Sequence, residues 1–329
     1  MDILELVKKL IKTLGVYKLL EKWIVSTSLG ANIYLFVMQG RAAQKRILLR
    51  LEKKSSALVL LVARDGKIIK ISMRHFAYLQ DVVDNFSYYF DAVQPEALDG
   101  QMVVDYSMPR QHVLMPSGIP FYFSSFAEPL DTTDIYLQKG EIKAGDIVLD
   151  MGAYCGSTVW GFSRAVGEDG MVYAFEPDPV NYEVLCKNIE YHRLSNVVAI
   201  NKGLWSTSGD LMFQSEGNMG SGISEVQGRA ANLFQISVIS LSDFCAEYKV
   251  TRIDYIKMDI EGAEIEVLKT SGTILKKYRP RLILEPHVIN ARLVTDDVCD
   301  ILSGYGYETE VLEQAGLPLP LIYATLAGE

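Results

Sequence analysis

The chain is poor in the residues that staple small folds. Its 329 residues include only four cysteines, at 155, 186, 245 and 299, and four histidines. No two cysteines form a C-x-x-C pair, so neither a zinc cluster nor a disulfide framework is expected, and the cysteines read as reduced, small apolar residues of a cytoplasmic protein. Long apolar runs are also missing. The longest candidate, Leu29 to Met38, contains Asn32 and falls short of the ~18 apolar residues that span a bilayer. Met1-Asp2 opens with an acid where a secretory leader carries a basic region. Positive charge is scarce beyond the first 54 residues: that segment carries a net +7, and the remainder a net −16. An acidic body argues against a nucleic-acid substrate, which needs a basic track.

The composition that remains is that of a globular protein, 49% apolar and 22% charged. Residues 2–24 read as an amphipathic helix, with Ile3, Leu6, Leu10, Leu14 and Tyr17 on one face and Lys8, Lys12 and Lys22 elsewhere. Three roles stay open for it: packing on the catalytic domain or on a second copy in a homodimer, peripheral contact with an anionic membrane surface, and substrate recognition. A second helical stretch is expected from about Ile33 to Lys53. Residues 1–56 thus form a helical N-terminal segment. Residues 57–128 form an α+β extension, opening with a hairpin whose strands, Ala57 to Val62 and Lys67 to Met73, flank the turn signal Asp65-Gly66. From 129 to 329 strands and helices alternate, which implies a mainly parallel sheet covered on both faces, closed by an antiparallel pair near 307–312 and 320–325.

The sharpest local feature is Asp150-Met151-Gly152-Ala153-Tyr154-Cys155-Gly156-Ser157-Thr158, between a buried strand and a helix. Gly152 allows a tight turn at the strand end, and Ala153 and Gly156 leave room for a ligand against the main chain. Glu176, in Phe175-Glu176-Pro177-Asp178 after the next strand, is placed to accept both ribose hydroxyls of a nucleoside. A nicotinamide dinucleotide and S-adenosylmethionine both satisfy that acid. Asp150, where the dinucleotide fingerprint has its first glycine, would repel pyrophosphate but suits a cationic methionine end. Two other readings remain: a nicotinamide-dependent oxidoreductase, and a non-catalytic nucleoside-binding module.

Beyond these residues lies Lys257-Met258-Asp259-Ile260-Glu261-Gly262-Ala263-Glu264. Together with Gly145 to Ala153, Gly156, Thr158 and Phe175-Glu176-Pro177, it resembles the FkbM family of methyltransferases over about residues 130–290. Tyr154-Cys155 stands where family members carry Asn-Ile. The resemblance implies a Rossmann-like class I methyltransferase fold and O-methylation of a hydroxyl on a saccharide or natural-product acceptor. It covers none of residues 1–125.

Asp259 ends the fourth strand, and Glu285 and His287 end the fifth, so all three are expected in the crevice beyond the strand ends. They suit two mechanisms. In one, His287 or Asp259 is a general base oriented by Glu285. In the other, the three hold a divalent cation that acidifies the acceptor hydroxyl. The expected cofactor contacts are Asp150, Gly152, Ala153, Gly156, Thr158, Glu176 and Pro177. Glu261 and Glu264 open the next helix, where an acid also gains from the helix dipole. Asn218, Ser221 and Ser224 lie in or beside a glycine-rich loop, Gly217 to Gly222, that reads first as a surface loop and second as a contact to the acceptor or the cofactor. Trp160 and Trp205 read as core aromatics, and His192 as an exposed helix end.

Overall fold

The computed structural model describes residues 28–44, 49–53, 58–72, 75, 78–127, 130–214, 222–223, 233–289, 292–314 and 319–326. The expected helix over 2–24, and Asn218, Ser221 and Ser224, lie outside them. The chain divides into two units, residues 1–118 with 125–127, and residues 119–124 with 128–329.

The first unit begins with α1 (Ser28–Gln44), which buries Ala31, Leu35, Met38 and Ala42 at helical spacing. Strands β1 (Leu49–Lys53), β2 (Leu58–Ala63) and β3 (Lys67–Ser72) follow, then short helices α2 (Leu79–Asp84) and α3 (Phe86–Asp91), and strands β4 (Glu96–Leu98), β5 (Gln101–Asp105) and β6 (Arg110–Leu114). The sheet order is β1-β2-β3-β5-β4. The expected hairpin is β2–β3, with Gly66 at φ +85° donating to the Ala63 carbonyl at 3.2 Å. The helix expected to reach Lys53 does not. Leu49–Lys53 is a strand paired antiparallel with β2, and Leu51 N–H donates to Gln39 Oε1 at 2.7 Å. Leu, Arg, Glu and Lys favour helix locally, but tertiary pairing overrides that preference.

The second unit contains β7 (Ile119–Phe123), α4 (Leu130–Gly140), β8 (Ile147–Met151), α5 (Ser157–Val166), β9 (Met171–Phe175), α6 (Pro179–Tyr191) and β10 (Val197–Ile200). An inserted sheet follows, made of β11 (Gly203–Leu204), β12 (Gly209–Gln214), β13 (Gly222–Ile223) and β14 (Leu233–Ile239). The chain then runs through α7 (Leu241–Glu247), β15 (Tyr255–Met258), α8 (Glu264–Tyr278), β16 (Arg281–Leu284), the small hairpin β17 (Val288–Ile289) and β18 (Arg292–Leu293), α9 (Thr295–Gly304), β19 (Tyr307–Leu312) and β20 (Leu321–Leu326).

The main sheet runs β10-β9-β8-β15-β16-β20-β19. Its first five strands are parallel, and β20 and β19 are antiparallel, as the pattern of the tail predicts. Strands β8 and β15 are buried on both faces, as a sheet covered by helices requires, and are apolar apart from Asp150 and Lys257. One core packs Leu149, Met151, Ile256 and Met258 against α7, α8 and α9, and the other packs Val148, Val172, Ala174 and Tyr255 against α5. This strand order, with its reversal between β8 and β15, is a Rossmann-like doubly wound sheet, and it opens a crevice at the carboxyl ends of those strands.

Candidate active site

Parallel register brings four chemically important positions to one edge. Gly152 N–H donates to Phe175 O at 3.1 Å, Glu176 N–H to Ile200 O at 3.1 Å, Asp259 N–H to Met151 O at 3.0 Å, and Glu285 N–H to Met258 O at 2.9 Å. Each of these residues is the first after its strand, so Glu176, Asp259 and Glu285 leave the sheet at the same level.

At the β8–β9 end the main chain sets the geometry. Gly152 has φ +84°, and a Cβ there would lie 1.8 Å from the Asp259 carbonyl oxygen. Only glycine lets the turn pass the end of β15. Gly156, at φ +90°, would place a Cβ 2.6 Å from Leu185 Cδ1, so its lack of a side chain lets α6 pack against the turn. Ala153 is buried, and its N–H donates to Phe175 O at 2.9 Å. Glu176 is buried and accepts from Tyr154 N–H (Oε2, 2.9 Å) and Asp178 N–H (Oε1, 2.9 Å). Burial pushes its carboxyl up to about 8, against the lowering effect of those amides. Pro177 leads into Asp178, whose side chain accepts from Val180 N–H at 2.9 Å and starts α6.

Asp150 is fully buried, and its carboxylate has partners of its own. Thr158 donates its hydroxyl to Oδ2, and Lys257 Nζ stands 3.4 Å from Oδ1. Lys257, itself buried, donates to Gly152 O at 2.6 Å and lies 3.6 Å from Asp259 Oδ2. A chain Asp150–Lys257–Asp259 therefore joins the two halves of the edge. Sequence reasoning passed over Lys257. The available signal was a lysine inside the buried strand Tyr-Ile-Lys-Met, where an ammonium needs partners.

At the β15–β16 end side chains set the geometry. One ligating atom from each of Asp259, Glu285 and His287 falls within a 4.8 Å separation of the others, so the three residues expected to act together are brought together. His287 Nδ1 donates to Glu264 Oε1 at 2.9 Å, and the same oxygen accepts from Ile260 N–H at 3.2 Å and Gly262 N–H at 3.3 Å. His287 Nε2 faces Glu261 Oε2 at 3.5 Å and Asp259 Oδ1 at 3.6 Å. Gln314 Nε2 donates to Glu285 Oε2 at 3.2 Å. Burial pulls the imidazole down, but the Glu264 hydrogen bond and the charges of Glu261, Asp259 and Glu264 outweigh it and raise His287 to about 10. Burial pushes Glu261 up, and His287 opposes the shift. Glu264 is buried beneath the ring, so beyond opening α8 it fixes the tautomer and orientation of His287.

The aromatic assignments fall on the core side. Trp160 packs edge-on to Phe121 with the Arg164 guanidinium over its ring, and Trp205 packs on the Phe213, Ile236 and Val238 cluster of the inserted sheet. His192 caps α6 but is half-buried, its ring centroid 4.4 Å from that of Phe121. Among the described residues no helix is long and apolar enough to cross a membrane.

Two curated relatives are the hexuronic acid methyltransferase AglP of Haloferax volcanii and the 31-O-demethyl-FK506 methyltransferase FkbM of Streptomyces tacrolimicus. The first is 28% identical, over 54% of this chain and 70% of its own length. The second is 27% identical, over 56% and 80%. Among solved structures, methyltransferase FkbM from Methylobacillus flagellatus is 18% identical with a TM-score of 0.39, covering 54% of this chain and 43% of that one. This chain therefore spans less than half of that structure. Fibrillarin from Aeropyrum pernix, solved with S-adenosyl-L-methionine, is 13% identical with a TM-score of 0.39, covering 84% and 97%. The methyltransferase FkbM domain model matches residues 150–309, from Asp150 near the end of β8 into β19.

Proposed function

We propose that the chain transfers a methyl group from S-adenosylmethionine to a hydroxyl oxygen of a saccharide or natural-product acceptor, with residues 129–329 as the catalytic domain. The observation that carries this reading is the single strand edge that presents Glu176 at one end and Asp259, Glu285 and His287 at the other. S-adenosylmethionine, when bound, supplies an electrophilic methyl group on a cationic sulfur. The residues present suit it. Glu176 is a buried acid whose two oxygens are each oriented by a backbone amide and retain lone pairs for ribose hydroxyls. Asp150, Gly152, Ala153, Gly156, Thr158 and Pro177 shape the floor around it. Of these, Asp150 and Thr158 act through the Lys257 network as much as by direct contact.

Asp259, Glu285 and His287 then lie where an acceptor oxygen must approach, because the first two strands are taken by the nucleoside. Their task is to hold the acceptor in line and remove its hydroxyl proton. The two curated relatives are named a hexuronic acid methyltransferase and a 31-O-demethyl-FK506 methyltransferase, and the second name supports oxygen as the acceptor atom.

The experiment is a transfer assay with isotopically labelled methyl donor against hexuronic acid-containing glycans, other saccharides and hydroxylated polyketides, paired with calorimetry of the donor. Labelled ether products on a hydroxylated acceptor are expected. Binding of a nicotinamide dinucleotide with no binding of S-adenosylmethionine would refute the reading.

A further inference from the structure

We propose that Asp259, Glu285 and the Nε2 atom of His287 bind a divalent cation of the Mn²⁺ and Mg²⁺ class, with Glu264 as the residue that positions the imidazole. The proposal rests on the reading of this edge as the acceptor side of a methyl-transfer site, and it names the agent that acidifies the acceptor hydroxyl. Three observations carry it.

The first is spacing. The three ligating atoms lie within 4.8 Å of one another. Ligands on opposite sides of an ion with bonds of ~2.0–2.6 Å stand roughly 4–5 Å apart, so one ion fits among them without rearrangement of the backbone. The second is the imidazole. A carboxylate oxygen can only accept, so the Nδ1 proton is committed to Glu264. The other ring nitrogen, Nε2, faces Asp259 Oδ1 and Glu261 Oε2, at 3.6 and 3.5 Å. Both are acceptors, and both distances exceed a hydrogen bond. A cation seated between Nε2 and those oxygens takes the place of the Nε2 proton and meets the same negative charge. A carboxylate behind the distal nitrogen is also the arrangement that orients metal-bound histidines and raises their basicity. The third is donor chemistry. Two carboxylates and one imidazole form a hard set with one borderline member, which suits Mn²⁺ over Mg²⁺ and leaves positions for an acceptor oxygen and water. Glu264 is fully buried, so its carboxylate supports the ring and does not compete for the ion.

The test uses the full chain, stripped with chelator and free of S-adenosylmethionine, titrated with Mn²⁺ by calorimetry and by the loss of the free-ion electron paramagnetic resonance signal. One Mn²⁺ per chain is expected. His287→Ala and Asp259→Asn should each weaken it at least tenfold, and Glu264→Gln by about 10–100-fold, the usual cost of losing such a supporting partner. Circular dichroism melts confirm that each variant is folded. Asp259 is partly exposed, which makes its asparagine variant the safer one. No stoichiometric uptake by the wild type overturns the proposal, as does uptake unchanged in both His287→Ala and Asp259→Asn. Methyl transfer that persists in excess chelator also overturns it, while leaving the methyltransferase reading intact. Failure to bind S-adenosylmethionine at all would strike that reading and not the ion.

Discussion

The two halves of the strand edge solve the same problem by different means. Between β8 and β9 the backbone does the placing: a left-handed glycine slips past the Asp259 carbonyl, and amides of Tyr154 and Asp178 grip Glu176. Between β15 and β16 side chains do it: Glu264 holds His287, Gln314 holds Glu285, and Lys257 holds Asp259. A backbone-built pocket is rigid and tolerates little change in shape. A side-chain-built cluster can be altered one group at a time. This division fits a cofactor that is constant and an acceptor that differs among relatives.

The contrast can be broken most severely at the turn. Gly152→Ala should cost about 2–6 kcal/mol, from overpacking against a backbone atom plus left-handed strain. Gly156→Ala should cost less, because the obstructing atom is the flexible end of Leu185. Urea midpoints of both variants measure this, and equal losses would contradict the backbone account. Lys257→Met comes next. It leaves Asp150 buried without its cation and should cost about 3–5 kcal/mol, read in the same titration. A Lys257→Met variant as stable as wild type would show that the chain from Asp150 to Asp259 does not bind the two halves together.

On the side-chain half, alanine at Asp259, Glu285 or His287 should lower turnover by about 10²-fold or more, the usual worth of a group that assists proton removal. Normal turnover in all three would make the cluster structural. A smaller effect is in pH. His287 is raised from 6.5 to about 10 in the folded chain, so the stability it contributes is complete below 6.5 and is lost as pH rises through about 10. In chelator-treated protein, urea midpoints should fall across that window, and Glu264→Gln should flatten the fall. An identical slope in both would remove Glu264 as the partner that raises the ring.

The same contrast explains what could be read in advance. Gly152, Glu176 and the strands around them are local features, and local chemistry announces them: a glycine turn, an acid one residue past a strand, and a proline opening the next helix. The mainly parallel sheet with its antiparallel closure was legible for the same reason, since apolar runs and their turns alternate from 129 onward. Asp259, Glu285 and His287 were legible by position, because strand ends converge. The support behind them was not. Glu264 and His287 are 23 residues apart on different elements, and only the fold makes them neighbours. Lys257 gains its meaning from Asp150, which faces it across β8 and β15. The strand Leu49–Lys53 was hidden because its composition favours helix and its partner lies across a break in the pattern. Helix α7 was missed although Ser240 caps it through Asp243 N–H at 3.1 Å, a signal present in the sequence.

The central claim is that one edge carries two separable sites, a backbone-built cofactor site and a side-chain-built acceptor site. The direct measurement is calorimetry of S-adenosylmethionine on Glu176→Ala and His287→Ala, side by side with wild type. Glu176→Ala should bind at least tenfold more weakly, since a charge-assisted hydrogen bond is worth about 1.5–3 kcal/mol, while His287→Ala should bind within twofold of wild type. Unchanged affinity in Glu176→Ala, or an equal loss in both variants, would contradict the account.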